Sequence, residues 1–239
     1  MIPVSVDSST SRRSVLDNGY VQLIDVWGSD ERIVEAARMS TGKGFLGWGT
    51  AAQPGDERLL RYLYEHKHAT PFEMAGMTIE VQAPIFVFRE WHRHRTQSYN
   101  ELSARYTPLP DVHYVPTVER VMMDGGTNKQ AQGSKAVHRN EAETFIRDLT
   151  RSYADAEAQY QSALHAGVPK ELARLIVPVG RYSRMRASAN LRNWLAFLTL
   201  RLAPQAQWEI RQYANAVYVL VAEQFPRTWE LFREGLKDG

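Results

Sequence analysis

The chain has 239 residues, 29 of them Lys or Arg and 27 Asp or Glu, with 44% hydrophobic residues, 10% aromatics and no cysteine. A chain of this size buries roughly three quarters of its unfolded surface and needs no covalent staple to fold, as one large domain or two small ones. The missing thiols exclude disulfides, Cys-ligated zinc, iron–sulfur clusters and any thiolate nucleophile.

The longest apolar run, Ala216 to Ala222, falls far short of the ~18 residues that cross a bilayer. The first fifteen residues lack the apolar core of a signal peptide. A cytoplasmic protein without membrane partners is expected. Only six of the basic residues are lysine, so 23 are arginine. That bias favours planar forks that grip phosphate or carboxylate at two points, although Arg-rich codon usage produces the same count.

Residues 1–15, rich in Ser and Arg, read as a flexible lead-in. Tyr20 to Trp27 alternates as a strand, and Ser29-Asp30 then caps a helix that ends before Gly42. After a Gly-rich loop, Asp56 to Lys67 places Leu59, Leu60, Leu63 and Tyr64 at helical spacing. Met77 to Val81 reads as a strand. Pro84 opens a helix expected to run through to Gln97. Prolines and glycines from 107 to 134 predict a long surface loop with a short strand near His113 to Val115.

Lys135 to His165 is a long helical pattern stopped by Gly167, and a short helix begins at Val168-Pro169 and ends near Pro178. Tyr182 to Ala189 has strand character. Leu191 to Leu202 and Gln205 to Gln224 read as helices broken by Pro204 and Pro226. Long helices, few strands and no βαβ alternation predict an α+β fold, with helices around a small, mainly antiparallel sheet.

Gly42 to Gly47 spells G-x-G-x-x-G but lacks the preceding strand and following helix of a dinucleotide turn. His66/His68 and His92/His94 are spaced by two, which turns their rings to different sides of a helix, and no metal site is predicted. Thr70-Pro71-Phe72-Glu73 has the form of a capping box, with His68 just upstream.

The densest chemistry runs from Arg89 to Tyr106. In a helix reaching Gln97, Glu90, Arg93, His94 and Gln97 would share one face, while Arg95 would point about 200° away from Arg93. The plain alternative is a solvated charged face. Ser98 to Tyr106 follows as a turn-prone run, and no His or Lys stands where it would activate Ser103 as a nucleophile. Trp91 and Tyr99 are candidates for the apolar walls of a site, though such residues more often pack a core or an interface.

The string Arg93-His94-Arg95, then Ser98, Asn100-Glu101, Ser103 and Arg105-Tyr106, resembles the signature of the flavin-dependent thymidylate synthases. His68 to Glu73, Ala83 to Phe86, Val168-Pro169 to Arg174, and Leu200-Arg201 with Gln207 to Ile210 resemble further segments of that family in the same order. The resemblance implies one domain over 16–239 and a homotetramer with active sites between subunits. It also implies bound FAD, with dUMP, methylenetetrahydrofolate and NADPH as co-substrates, and production of dTMP without an enzyme cysteine.

By position, His68, Thr70, Arg93, His94, Arg95, Glu101, Asn190 and Arg192 are similar to the family's flavin contacts. Glu90, Arg93, Glu101, Ser103, Ala104, Arg105, Arg174 and Arg201 resemble its nucleotide contacts. Arg201 is the cation expected to stabilise charge on the pyrimidine. Ser40 matches a further family motif. Ala196 stands where some members carry Asn, and Glu90 where some carry Gln. The Ala196 departure keeps open a flavoprotein of the same fold with altered chemistry. The arginines keep open a nucleic-acid-binding protein, which the near-cancelling acidic residues disfavour.

Overall fold

A computed structural model describes residues 12–50, 52–123 and 136–236. Its centre is a five-stranded antiparallel sheet of order β1-β2-β3-β5-β4. The chain enters through β1 (Arg12–Val15) and β2 (Gly19–Trp27), then α1 (Asp30–Arg38) and α2 (Glu57–Glu65). It continues into β3 (Gly76–Pro84), α3 (Ile85–Trp91), β4 (Ser98–Glu101) and α4 (Val118–Met122). Next come α5 (Arg139–His165), α6 (Lys170–Ala173) and β5 (Tyr182–Asn190). The helices α7 (Leu191–Arg201), α8 (Trp208–Gln224) and α9 (Pro226–Gly235) complete it. The expected α+β architecture is therefore what forms.

Period-two burial fixes the sheet's register. Met77, Ile79, Val81 and Ala83 of β3 and Met185, Ala187 and Ala189 of β5 point into one core. Thr78, Glu80 and Gln82 fall on the opposite face, where Thr78 Oγ1 donates to Ser188 Oγ at 2.9 Å. Helices α7 and α8 cover the apolar face, with Trp194, Phe197, Leu198, Tyr213, Val217 and Leu220 fully buried. No helix among the described residues is long and apolar enough to cross a membrane.

Several expectations need correction. Residues 12–15 of the supposed lead-in form edge strand β1, because Arg13 and Val15 have buried positions to fill; residues 1–11 lie outside the described part. The stretch after Thr107 contains α4, whose N-cap Thr117 accepts from the Arg120 amide at 3.1 Å, and His113 bridges to Arg181; residues 124–135 are outside the description. Helix α9 starts at Pro226, the position in a first turn where proline is tolerated.

Helix α3 stops at Trp91 rather than Gln97, and residues 98–101 become strand β4. The proposed capping box at Thr70 does not form: Thr70 lies inside a 3-10 turn, and Glu73 instead accepts from Arg192 Nη1 at 2.5 Å.

Candidate active site

The early end of α3 builds the first part of the site. Helix C-termini leave carbonyls without intrahelical partners and carry partial negative charge. Here the Tyr99 hydroxyl, reaching back from β4, donates to His94 O at 2.7 Å and to Trp91 O at 3.2 Å. Trp91 Nε1 donates to Gln97 Oε1 at 3.0 Å, and both residues are buried. Trp91 stacks on Phe197 at 4.6 Å between ring centroids. Trp91 and Tyr99 are thus internal supports of the 92–97 turn rather than free walls.

Arg201, on the last turn of α7, meets this turn. Its Nη1 donates to Glu90 Oε2 at 2.6 Å, its Nη2 to the Glu90 carbonyl at 3.0 Å, and its Nε to His94 Nε2 at 2.8 Å. The Arg201 side chain is 15% exposed. A guanidinium has five N–H donors, so one on each terminal nitrogen has no partner among the described residues. The ring of His94 packs edge-on against Phe197 at 4.9 Å. Burial, reinforced by the Arg201 charge, lowers the His94 pKa to about 4, which keeps the ring neutral at neutral pH.

A second group gathers around α6. Ser103 Oγ accepts from the Arg105 amide at 3.3 Å within a tight turn, and Ala104 is buried beneath it. Arg105 approaches Glu171 at 3.4 Å, Arg174 Nε donates to the Glu171 carbonyl at 3.2 Å, and Lys170 Nζ donates to the Tyr106 carbonyl at 2.9 Å. Arg105 and Arg174 are both exposed. No hydrogen bond or ion pair joins this group to Arg201 among the described residues.

A third group surrounds the start of α7. Asn190 caps it, accepting from the Asn193 amide at 3.0 Å, while Asn193 Nδ2 donates to the Thr96 carbonyl at 3.0 Å. The Leu191 amide donates to Ala75 O at 2.7 Å, and the Arg192–Glu73 pair brings the 70–73 turn alongside. Arg93 and Arg95 are exposed and make no ion pair with a described residue. Glu101 lies exposed at the end of edge strand β4. His68 forms an exposed aromatic cluster with Tyr62 and His66, 5.5 and 6.5 Å away between centroids. Ala196 is exposed on α7 one turn beyond Arg192.

The sequence model of the thymidylate synthase complementing protein family matches residues 22–227. The chain belongs to this family. Among its relatives, the flavin-dependent thymidylate synthase of Thermus thermophilus is 42% identical over 225 residues, covering 94% of this chain and 79% of that one. The enzyme of the same name from Thermotoga neapolitana is 39% identical over 218 residues, covering 91% and 92%. Among solved structures, the UMP/dUMP methylase PolB of Streptomyces cacaoi, crystallised with 5-Br UMP, is 34% identical with a TM-score of 0.78, covering 92% of this chain and 95% of that one.

Of the residues picked out by sequence, His68, Arg93, Arg95 and Glu101 stand exposed, and the others fall into the groups just described. Glu90, His94 and Arg201 meet directly; Ser103, Ala104, Arg105 and Arg174 gather around α6; Asn190 and Arg192 stand at the start of α7, where Arg192 pairs with Glu73 of the turn that begins at Thr70. Lys170 joins the α6 group outside the sequence-derived set, and its position beside Pro169 and near Arg174 is the signal that marks it. Gln97 turns inward to Trp91, not outward on a face with Glu90 and Arg93, because the helix that would have aligned them has already ended.

Proposed function

We propose that the protein converts dUMP to dTMP, taking the methylene group from methylenetetrahydrofolate and reducing equivalents from NADPH through FAD. In this reading the chain from Arg12 onward, β1 included, acts as one catalytic domain in the cytoplasm, assembled as a homotetramer whose active sites lie between subunits. The observation that supports it is that Arg201 with Glu90 and Arg105 with Arg174 form two groups joined by no hydrogen bond or ion pair among the described residues. Arg201 with Glu90 offers a fork suited to a pyrimidine edge, and Arg105 with Arg174 offers a pair suited to a phosphate. Sites shared between facing copies of the chain would let one small nucleotide use both groups.

The donors near α7 suit a flavin dinucleotide. The turn that carries Arg93 and Arg95, two guanidinium groups without ion pairs among the described residues, is tied through the Thr96 carbonyl to Asn193 in the first turn of α7, the helix capped by Asn190, and Arg192 pairs there with Glu73. Cations and helix-end amides are the groups that hold a pyrophosphate. Ala196 offers no hydrogen bond there, so Asn190 and Arg192 carry more of the binding. When bound and reduced, the flavin supplies a hydride.

Arg201's unused N–H groups stabilise the negative charge that grows on the pyrimidine as its C5 attacks the methylene carbon. Arg105 and Arg174 anchor the 5′-phosphate. The C5 proton is lost, and the balanced products are dTMP, tetrahydrofolate and NADP. Ser103 serves binding: its hydroxyl already accepts from the Arg105 amide, and no His, Lys or carboxylate among the described residues is hydrogen-bonded to it.

Purified protein should be yellow, bleach with NADPH under anaerobic conditions, and then form dTMP only when dUMP and methylenetetrahydrofolate are both supplied. A colourless preparation that binds DNA with steep salt dependence would contradict the proposal.

A further inference from the structure

By resemblance His94 is a flavin contact, but its ring nitrogen already has a protein partner. Arginine only donates, so the 2.8 Å bond from Arg201 Nε requires a lone pair on His94 Nε2 and places the ring proton on Nδ1. Glu90 grips the two terminal nitrogens of the same guanidinium through its carboxylate and its carbonyl. The third bond, at Nε, fixes the plane of the group about its own stem.

We infer that His94 is a positioning residue for Arg201, holding the guanidinium so that its two unused N–H groups keep one orientation. The inference rests on the reading of Arg201 as the pyrimidine's cation. The surroundings of His94 are built for this duty. Phe197, one turn before Arg201 on α7, packs against the ring edge-on. Tyr99 from β4 ties down the His94 carbonyl, and the Trp91–Gln97 bond closes the turn from below. Among charged groups, Arg201 touches the ring and Glu90 of α3 lies across that guanidinium. Arg93 and Arg95 flank His94 in the chain with exposed side chains.

A ring that served only to pack on Phe197 would need no acceptor at Nε2. Protonation would remove that acceptor and set two cations together, an outcome that burial and the Arg201 charge oppose by lowering the ring's pKa to about 4.

The test is a double-mutant cycle in flavin-loaded enzyme, reading kcat for dTMP formation, dUMP affinity, flavin absorbance and the pH profile. His94→Leu should lower kcat roughly 10- to 100-fold, the range seen when a partner that orients a metal ligand is lost. His94→Gln, whose amide oxygen accepts a hydrogen bond without titrating, should recover most of that loss. In an Arg201→Lys background, His94→Leu should cost less than about threefold more, because the fork it orients is already gone.

The wild-type rate should fall as pH drops toward 4, and His94→Gln should lack that limb. Equal losses in both backgrounds, or failure of glutamine to restore the rate with flavin and dUMP bound, would overturn the inference. If His94→Leu does not fold, the glutamine variant's rate and pH profile decide. If wild-type enzyme makes no dTMP, the fault lies with the functional reading, and the same cycle on dUMP affinity still decides the role of His94.

Discussion

Arg201→Lys is expected to lower kcat for dTMP formation by roughly 10²- to 10³-fold, about 2.7 to 4 kcal/mol of transition-state stabilisation, while flavin remains bound. Charge alone does not serve here. The guanidinium satisfies Glu90 at two atoms and His94 at a third, and still keeps a donor on each terminal nitrogen. A lysine ammonium is a single point with three donors, so it cannot meet those partners and a pyrimidine edge together. Single-turnover measurements with pre-reduced enzyme isolate the methylene-transfer step. A variant with near-normal turnover would remove Arg201 from the chemistry.

Trp91→Ala should be the most destabilising single change near the site, at about 3 to 5 kcal/mol. The indole is fully buried, stacks on Phe197, meets Tyr213 edge-on at 6.3 Å and donates to buried Gln97. Alanine would leave a cavity beneath the 92–97 turn and strip Gln97 Oε1 of its donor. A fall in thermal midpoint of about 10 °C is the corresponding expectation for a chain of this length. Trp91→Phe should cost less, because the stack on Phe197 is kept. A midpoint within a degree or two of wild type for the alanine variant would show that the turn is held by other means.

Periodicity revealed the buried strands and the long helices, because each has one face committed to the core. Met77 to Val81 and Tyr182 to Ala189 alternate, and Leu191 to Leu202 repeats at helical spacing. It failed where tertiary contacts overrule local preference. Nothing within residues 92–97 breaks a helix; there the carbonyls of Glu90, Trp91 and His94 accept amides three residues on, in tight turns, and share those carbonyls with donors from Tyr99 and Arg201. Strand β4 is four residues long and mostly exposed, so it carries no apolar alternation; its pairing with Ala187 and Arg186 of β5 defines it. The Thr70 capping box failed for a similar reason, since Glu73 gains a charged partner in Arg192, 119 residues away in sequence.

For the site, spacing identified the dense stretch from Arg89 to Tyr106 but not its geometry. The meeting of Glu90 and His94 on Arg201 joins residues more than a hundred positions apart, and no local pattern encodes it. Family resemblance supplied the residue types, and the fold supplied their grouping into separate clusters. That grouping is compatible with the proposed sharing of sites between subunits.

The most direct test of that reading is subunit complementation between Arg201→Ala and Arg174→Ala. Each variant alone should be nearly inactive in forming dTMP. Dissociated and reassembled together, they should recover about a quarter of wild-type activity, the share of sites expected under random pairing to combine an intact Arg201 from one copy with an intact Arg174 from another. Mixtures that stay as inactive as either variant, despite verified exchange of subunits, would place both arginines in a site made by a single chain and contradict the account.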